Sequence, residues 1–319
     1  MERKNEKETS CETYHVSVML QESVDALKVQ EGNLYFDGTL GGGGHSAEIL
    51  KRGGRLIAVD RDIEAIKYVQ NKFARIPEYK GRYTLVHDNF KNVKEILKNH
   101  SIEHLDGAVL DLGVSSRQID DKSRGFSYKA DDIVDMRMDR GQVLSALTVI
   151  NQYTEEELSR IIYTYGEERH ARRIAREIVK ARAKKPIEKT GELSQIILSC
   201  FPPFIKGGNP AKRTFQALRI EVNGELDRLS DALTDLVNCL TSGARIAVIS
   251  FHSLEDRIAK QTFRALAADC VCDKSLPVCV CNHKATVRLP ESKGKKPSSK
   301  EQAVNPRSAS ATLRVAEKL

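Results

Sequence analysis

The chain has 319 residues, 40% of them hydrophobic and 30% charged, with a formal net charge of +7. This composition excludes a disordered polymer, and no apolar run approaches the roughly 20 residues that span a bilayer. The basic excess leans toward an anionic partner, and the absence of tryptophan removes a Trp-lined cage.

The opening residues MERKNEKETSCETYHVSV hold no apolar export core, and four glutamates precede Tyr14, unlike an acid-poor transit peptide. The expectation is a cytoplasmic protein with reduced thiols and with residues 1–13 as a disordered tail. Asn33–Phe36 reads as a short strand running into a glycine-rich turn, and Ser46–Lys51 can begin a helix. Arg55–Val59 is a second strand ending at Asp60, and Asp62–Phe73 places Ile63, Ile66, Val69 and Phe73 at helical spacing. Tyr83–Val86 is a third strand, Phe90–Asn99 a helix, and Leu105–Leu110 a fourth strand ending at Asp111. Such alternation predicts a parallel sheet with helices on both faces. From Gly113 to about Lys212 no strand is evident, while Ser159–Lys185 and Glu192–Cys200 read as helices. A Pro- and Gly-punctuated stretch around 202–210 follows, then a long amphipathic helix over Thr214–Leu240. Arg245–Ser250 is a buried-type strand, Leu254–Leu266 a helix, Ser292–Lys300 a polar, mobile loop, and Ala311–Val315 a last strand. The pattern is one α/β domain interrupted after its fourth strand by a helical insertion.

The turn after the first strand, Asp37 to Ser46, contains four successive glycines. Each costs backbone entropy, so they suit a turn that a ligand approaches closely beside a helix N-terminus, although a plain tight turn would also use them. Asp60, 16 residues past Gly44, ends the second strand, where a carboxylate can accept from both ribose hydroxyls of a nucleotide. Its alternative is a strand-end cap, a role for which Asp62 competes. Gly42–Ala47 satisfies the loose dinucleotide pattern G-x-G-x-x-A. Three features favour S-adenosylmethionine instead. Asp37 precedes the glycines and would repel a pyrophosphate. His87, Asp88, Asn89 and Phe90 end the third strand, where an adenine could be bonded and covered. Asp111 ends the fourth, completing an acidic floor suited to a sulfonium.

With those residues in view, the chain resembles the MraW/RsmH family of ribosomal RNA small-subunit methyltransferases. The matching stretches include His15–Leu20, Asp37–Ser46, Ala58–Asp62, Leu110–Ser116, Arg124–Ser127, Asp135–Asp139, Thr164–Arg169, Arg213–Arg219, Ile249–Arg257 and Asn305–Ser308. The resemblance runs from about Tyr14 to the C-terminus. It implies a Rossmann-like class I methyltransferase sheet over 14–113 and 213–319, with an all-helical RNA-recognition insertion at 114–212. It also implies N4-methylation of a P-site cytidine in the decoding centre of 16S rRNA, with naked rRNA or the small ribosomal subunit as substrate. Carried over by position, the cofactor contacts are Gly43, Gly44, His45, Asp60, Phe90, Asp111 and Gln118. Gly42 stands where other members carry a larger residue, which should loosen the turn without abolishing binding.

The cytosine amine is a poor nucleophile because its lone pair is delocalised into the ring. An enzyme must aim it at the methyl group and accept hydrogen bonds from its N–H groups. Many amino-methyltransferases use an Asp/Asn-Pro-Pro-aromatic run after the fourth strand, but here the sequence reads Asp111-Leu112-Gly113-Val114-Ser115-Ser116. The candidate acceptors are Asp111 and oxygens of Val114, Ser115 and Ser116, with His252 as the proton acceptor or, alternatively, a helix-entry residue. Asp135, Arg137 and Asp139 either close over the target base or form a surface cluster. Arg169, Arg172, Arg173, Arg176 and Lys180 share one side of a helix and suit a phosphate-tracking face or a merely solvated one. Lys206, Lys212, Arg213 and Arg219 add positive charge.

Cys270, Cys272, Cys279 and Cys281 form C-x-C-x6-C-x-C before His283. The C-x-C bite is tighter than the usual zinc spacing, so reduced thiols are the favoured reading and no metal is assigned. The rival classes are a nicotinamide oxidoreductase, which Asp37 opposes, a non-catalytic nucleic-acid-binding module, and a methyltransferase of DNA or protein. The sequence leaves the oligomeric state open, a homodimer among the options.

Overall fold

The computed structural model describes residues 17–129, 131–202, 209–270, 272, 278, 280–281 and 283–319; the expected tail lies outside them. The described chain enters through α1 (Leu20–Leu27), with Val24 and Leu27 buried. Strands and helices then alternate as β1 (Leu34–Asp37), α2 (Gly44–Lys51), β2 (Arg55–Asp60), α3 (Ile63–Phe73), β3 (Tyr83–His87), α4 (Val93–Asn99) and β4 (Leu105–Asp111). Asp62 caps α3, its carboxylate accepting the Glu64 N–H at 3.0 Å.

Helices follow: α5 (Ser116–Asp120), α6 (Ala146–Gln152), α7 (Glu155–Gly166), α8 (Ala171–Arg182), α9 (Thr190–Ser199), α10 (Ala211–Asn223) and α11 (Leu229–Cys239). The two long helices expected here are each broken in two. Between α7 and α8, Gly166 lies where a Cβ would come within 2.8 Å of the Arg213 carbonyl oxygen, and Glu167 turns left-handed. Between α10 and α11, Gly224 and Arg228 both adopt positive φ. The chain returns through β5 (Leu240–Ser250), α12 (Ser253–Leu266), β6 (Val287–Arg288), α13 (Ser299–Val304) and β7 (Thr312–Lys318). The 292–300 stretch, expected as a mobile loop, is tied to β7: Lys295 exchanges backbone hydrogen bonds with Leu313, and α13 begins at Ser299.

The sheet order is β3-β2-β1-β4-β5-β7-β6, parallel through β5, with β7 antiparallel to both neighbours. Alternation sends Tyr35, Leu56, Ala58 and Val109 into one core and Phe36, Ile57, Val59 and Leu110 into the other, so both faces are covered. A third core lies wholly in the helical segment and joins Ile161, Ile174, Leu193 and Phe215. This core runs past residue 213, the expected return to the sheet domain, because Phe215, Leu218 and Val222 of α10 belong to it.

The helical segment is fixed to the sheet by buried polar residues. Arg124, 3% exposed, pairs with Asp62 at 2.9 Å and donates to the carbonyls of Arg137 and Met138. Asn223 accepts from the Met138 N–H and donates to the Met136 carbonyl, both at 2.8 Å. No helix among the described residues is long and apolar enough to cross a membrane.

Candidate active site

The strand order reverses at β1, which pairs with β2 on one side and β4 on the other. A crevice opens beyond the carboxyl ends of strands at such a switch point. Here it is a cavity of about 340 Å³, within the range of small-ligand sites. One wall is the strand ends and the glycine turn. The other is α10, through Lys212, Gln216 and Arg219.

The turn is held by Asp37. Its carboxylate accepts from the Thr39 N–H and the Ser46 hydroxyl, and it is 2% exposed. Asp37 therefore shapes the turn from behind and does not line the cavity. Gly38 does, and a Cβ there would stand 2.3 Å from Leu110 Cδ2. Gly43 adopts φ +71° and turns toward Val69 and Phe73, away from the cavity lining, whereas Gly44 and His45 face it. Asp60 lines the cavity while accepting the N–H groups of Gly41 and Asp62, both at 2.8 Å. Phe90, Asp88 and Asn89 close the β3 end. Gln118 lines the floor, but its amide bonds to Asp62 and its oxygen accepts from Ser115 N–H.

Burial pushes the Asp37 and Asp60 carboxyls up to about 6. Asp111 is driven well above its usual range by burial and by the nearby Asp37 and Glu255 charges. Its Oδ1 is buried without a hydrogen-bond partner among the described residues, and Oδ2 is 3.9 Å from His45 Nδ1. Desolvated carboxylates crowded in this way favour a bound cation.

His252, Ser115 and Asp111 all reach the cavity, and Ser116 opens α5. The Ser115 hydroxyl caps α5 by accepting the Gln118 N–H. His252 is the N-cap of α12: Nδ1 accepts the Glu255 N–H at 3.4 Å, and Nε2 stands 3.2 Å from Glu255 Oε1, off hydrogen-bond alignment. Burial raises Glu255, but His252, Arg219 and the Phe251 N–H outweigh it and hold the carboxyl below its ordinary value.

The basic residues separate into two groups. Arg172, Arg173, Arg176 and Lys180 are all exposed on one side of α8, opposite buried Ile174 and Ile178, and Arg169 is exposed in the turn that precedes the helix. Arg137 is instead clamped bidentately to Asp135 and donates to the Arg140 and Gln142 carbonyls. Arg219 forms a two-point pair with Glu225 at 2.8 Å, and Arg213 reaches Glu168. Asp139 accepts from the Gly141 N–H. Lys206 lies outside the described residues.

Several lining residues carried no assigned role in the sequence. Arg61 donates to the Asn223 carbonyl and Gln142, tying the end of β2 to the helical segment. Lys91 bonds to the Gly224 carbonyl, and burial lowers it to about 8. Asn305 and Arg307 close the mouth, with Arg307 paired to Asp120. The Asn305–Ser308 motif marked this segment without indicating its place.

The family model of the MraW methylase family matches residues 12–319. The chain belongs to the MraW methylase family. It is 48% identical over 309 residues to a Clostridium botulinum (strain Kyoto / Type A2) protein named ribosomal RNA small subunit methyltransferase H, covering 96% of this chain and 99% of that one. A Brevibacillus brevis protein of the same name is 47% identical over 316 residues, covering 98% and 100%. The Clostridioides difficile protein of that name is 48% identical over 313 residues, covering 97% and 100%. The cofactor of this methylase is S-adenosylmethionine, and the cavity fits it. The unpartnered Asp111 oxygen and the acidic strand ends suit a sulfonium and an ammonium, and would repel a diphosphate.

Proposed function

We propose that the chain methylates the N4 amine of a cytidine in the decoding centre of 16S rRNA, at the ribosomal P site, from within the cytoplasm. The observation that carries this reading is the Asp111 carboxylate, buried, raised in pKa and with Oδ1 unpartnered, at the floor of a cavity between an acidic sheet edge and a basic helical segment. The names of the relatives support ribosomal RNA as the substrate. S-adenosylmethionine, when bound, supplies an electrophilic methyl group on a positively charged sulfur.

Asp60 would hold the ribose, Phe90 with Asp88 and Asn89 the adenine, and Gly44, His45 and Asp111 the charged end. Asp111 accepts a hydrogen bond from the cytosine amine, drawing its nitrogen toward a tetrahedral, more nucleophilic geometry. As a desolvated carboxylate beside Asp37 and Glu255, it holds a proton more tightly than an ordinary acid and receives the one that the amine sheds. His252 is placed less well for that task, because the lone pair on Nδ1 already caps α12.

The helical segment over 114–212 serves as the RNA-recognition domain, with the exposed arginines of α8 meeting phosphates. The target cytosine must leave its stack to enter the cavity. The test is mass spectrometry of 16S rRNA from cells with and without the gene. A single cytidine lacking its N4-methyl group in the deletion is the expected result. An unchanged cytidine pattern, or a methyl missing from another atom, overturns the reading.

A further inference from the structure

We infer that Cys270, Cys272 and Cys281 form a structural thiolate site for zinc, separate from the methylation cavity. The three Sγ atoms lie within 4.8 Å of one another, and those of Cys270 and Cys281 are 3.8 Å apart. Zinc–sulfur bonds of about 2.3 Å in a tetrahedron set neighbouring sulfurs about 3.8 Å apart, whereas a disulfide needs about 2.05 Å.

The backbone supplies a second, independent sign. The Cys272 N–H donates to Cys270 Sγ and the Val280 N–H to Cys272 Sγ, both at 3.4 Å. Amide donors aimed at sulfur stabilise the thiolate that a metal requires, and they orient it as outer-sphere partners do. The first of these bonds also explains how the short C-x-C spacing, unfavourable in the sequence alone, can bring its sulfurs to one point: the chain folds back on Cys270 within two residues.

Packing alone gives little reason for this convergence. The cysteines lie in the excursion between α12 and β6, where Cys270 is exposed and Val278 and Val280 are 70% and 72% exposed. Described residues with so little core around them are the setting in which a metal supplies the cross-link. Soft thiolates select zinc over magnesium or calcium. His283, two residues past Cys281, is engaged elsewhere, its Nε2 facing the Ala265 carbonyl. Cys279, the remaining cysteine of the pattern, lies outside the described residues.

The experiment uses the full chain, purified under reducing conditions without chelator, supplied with zinc and desalted. Elemental analysis should find one tightly held zinc per chain. Replacement by Co(II) should give intense sulfur-to-cobalt charge-transfer bands, whose strength reports the number of thiolates. The double variant Cys270→Ser/Cys281→Ser should lose both signals while keeping its S-adenosylmethionine affinity, which confirms that it folds. Three results each overturn the site: no retained zinc, cobalt without charge-transfer bands, or full zinc retention by the double variant. The last would place the metal elsewhere, for instance on Glu225, His252 and Glu255 in the cavity, whose ligand atoms also lie within 4.8 Å of one another.

Discussion

The Arg124 guanidinium lies 2.9 Å from the Asp62 carboxylate, with 3% and 8% of the two side chains exposed. Asp62 simultaneously caps α3 and accepts from Gln118, so one carboxylate ties the sheet, the floor of the cavity and the helical segment together. Removing one partner of a buried pair leaves the other charge stranded, at a cost of about 3–5 kcal/mol. Arg124→Ala should therefore lower unfolding stability by about that amount in urea titration. A loss below about 1 kcal/mol would show that the pair is not buried in solution.

The acidic strand ends make methyl-donor affinity depend on pH. Asp37 and Asp60 titrate near 6 without a ligand, above their usual 3.8, because burial withholds water. A carboxyl raised in this way stabilises the folded chain below its unfolded pKa, and that contribution disappears as pH rises through 6. The melting temperature of the ligand-free protein should accordingly lose this contribution between about pH 4 and pH 7. A bound cation favours the ionised forms, so affinity should rise over the same interval. Each carboxyl that must ionise weakens binding about tenfold at pH 5 relative to pH 8. Calorimetry across this range checks it, with the demethylated product, which lacks the sulfonium charge, showing a shallower slope. Equal donor affinity at the two extremes would remove the electrostatic account.

Asp111 and His252 can be separated by kinetics. Asp111→Asn keeps the shape but removes the proton acceptor, and should lower kcat by about 100-fold or more. His252→Ala should cost about 1 kcal/mol of stability through the missing helix cap and leave the pH profile of kcat in place. If instead the acidic limb vanishes in the histidine variant while Asp111→Asn stays active, the roles are reversed.

The strand ends were legible because a short, continuous apolar run and a terminal acid both leave local marks: Asp37, Asp60 and Asp111 each follow such a run, buried on both faces. What each acid does was less legible. Asp37 has the sequence position of a ligand group but is consumed by Thr39 and Ser46, a distinction that depends on where a neighbouring hydroxyl falls. The two helix breaks were hidden because apolar periodicity continues across Gly166 and Gly224, and only the close approach of α10 to α7 shows why the first is needed. The far end of β7 is polar in sequence. Glu317 is buried there because Arg245 and Arg288 neutralise it from neighbouring strands. Arginines gave the same difficulty in reverse: Arg137 and Arg219 resemble RNA-binding residues in sequence, yet both are paired within the chain.

Arg172, Arg173 and Arg176 are exposed on α8, and the only ion pair found for them among the described residues joins Arg176 to Glu155 at 3.8 Å. Exposed pairs of this kind contribute under about 1 kcal/mol, so reversing all three charges should leave folding nearly unchanged. Each phosphate that the protein no longer neutralises reduces the slope of log affinity against log salt by about 0.7–0.9. The triple Arg→Glu variant should therefore bind small-subunit rRNA at least about tenfold more weakly, with a slope shallower by about 2. Its S-adenosylmethionine affinity should be unaltered, because none of the three lines the cavity. A variant that binds RNA with the parent's affinity and salt dependence would mean that α8 merely faces solvent, and that the recognition surface must be sought nearer the mouth, around Lys212 and Arg307.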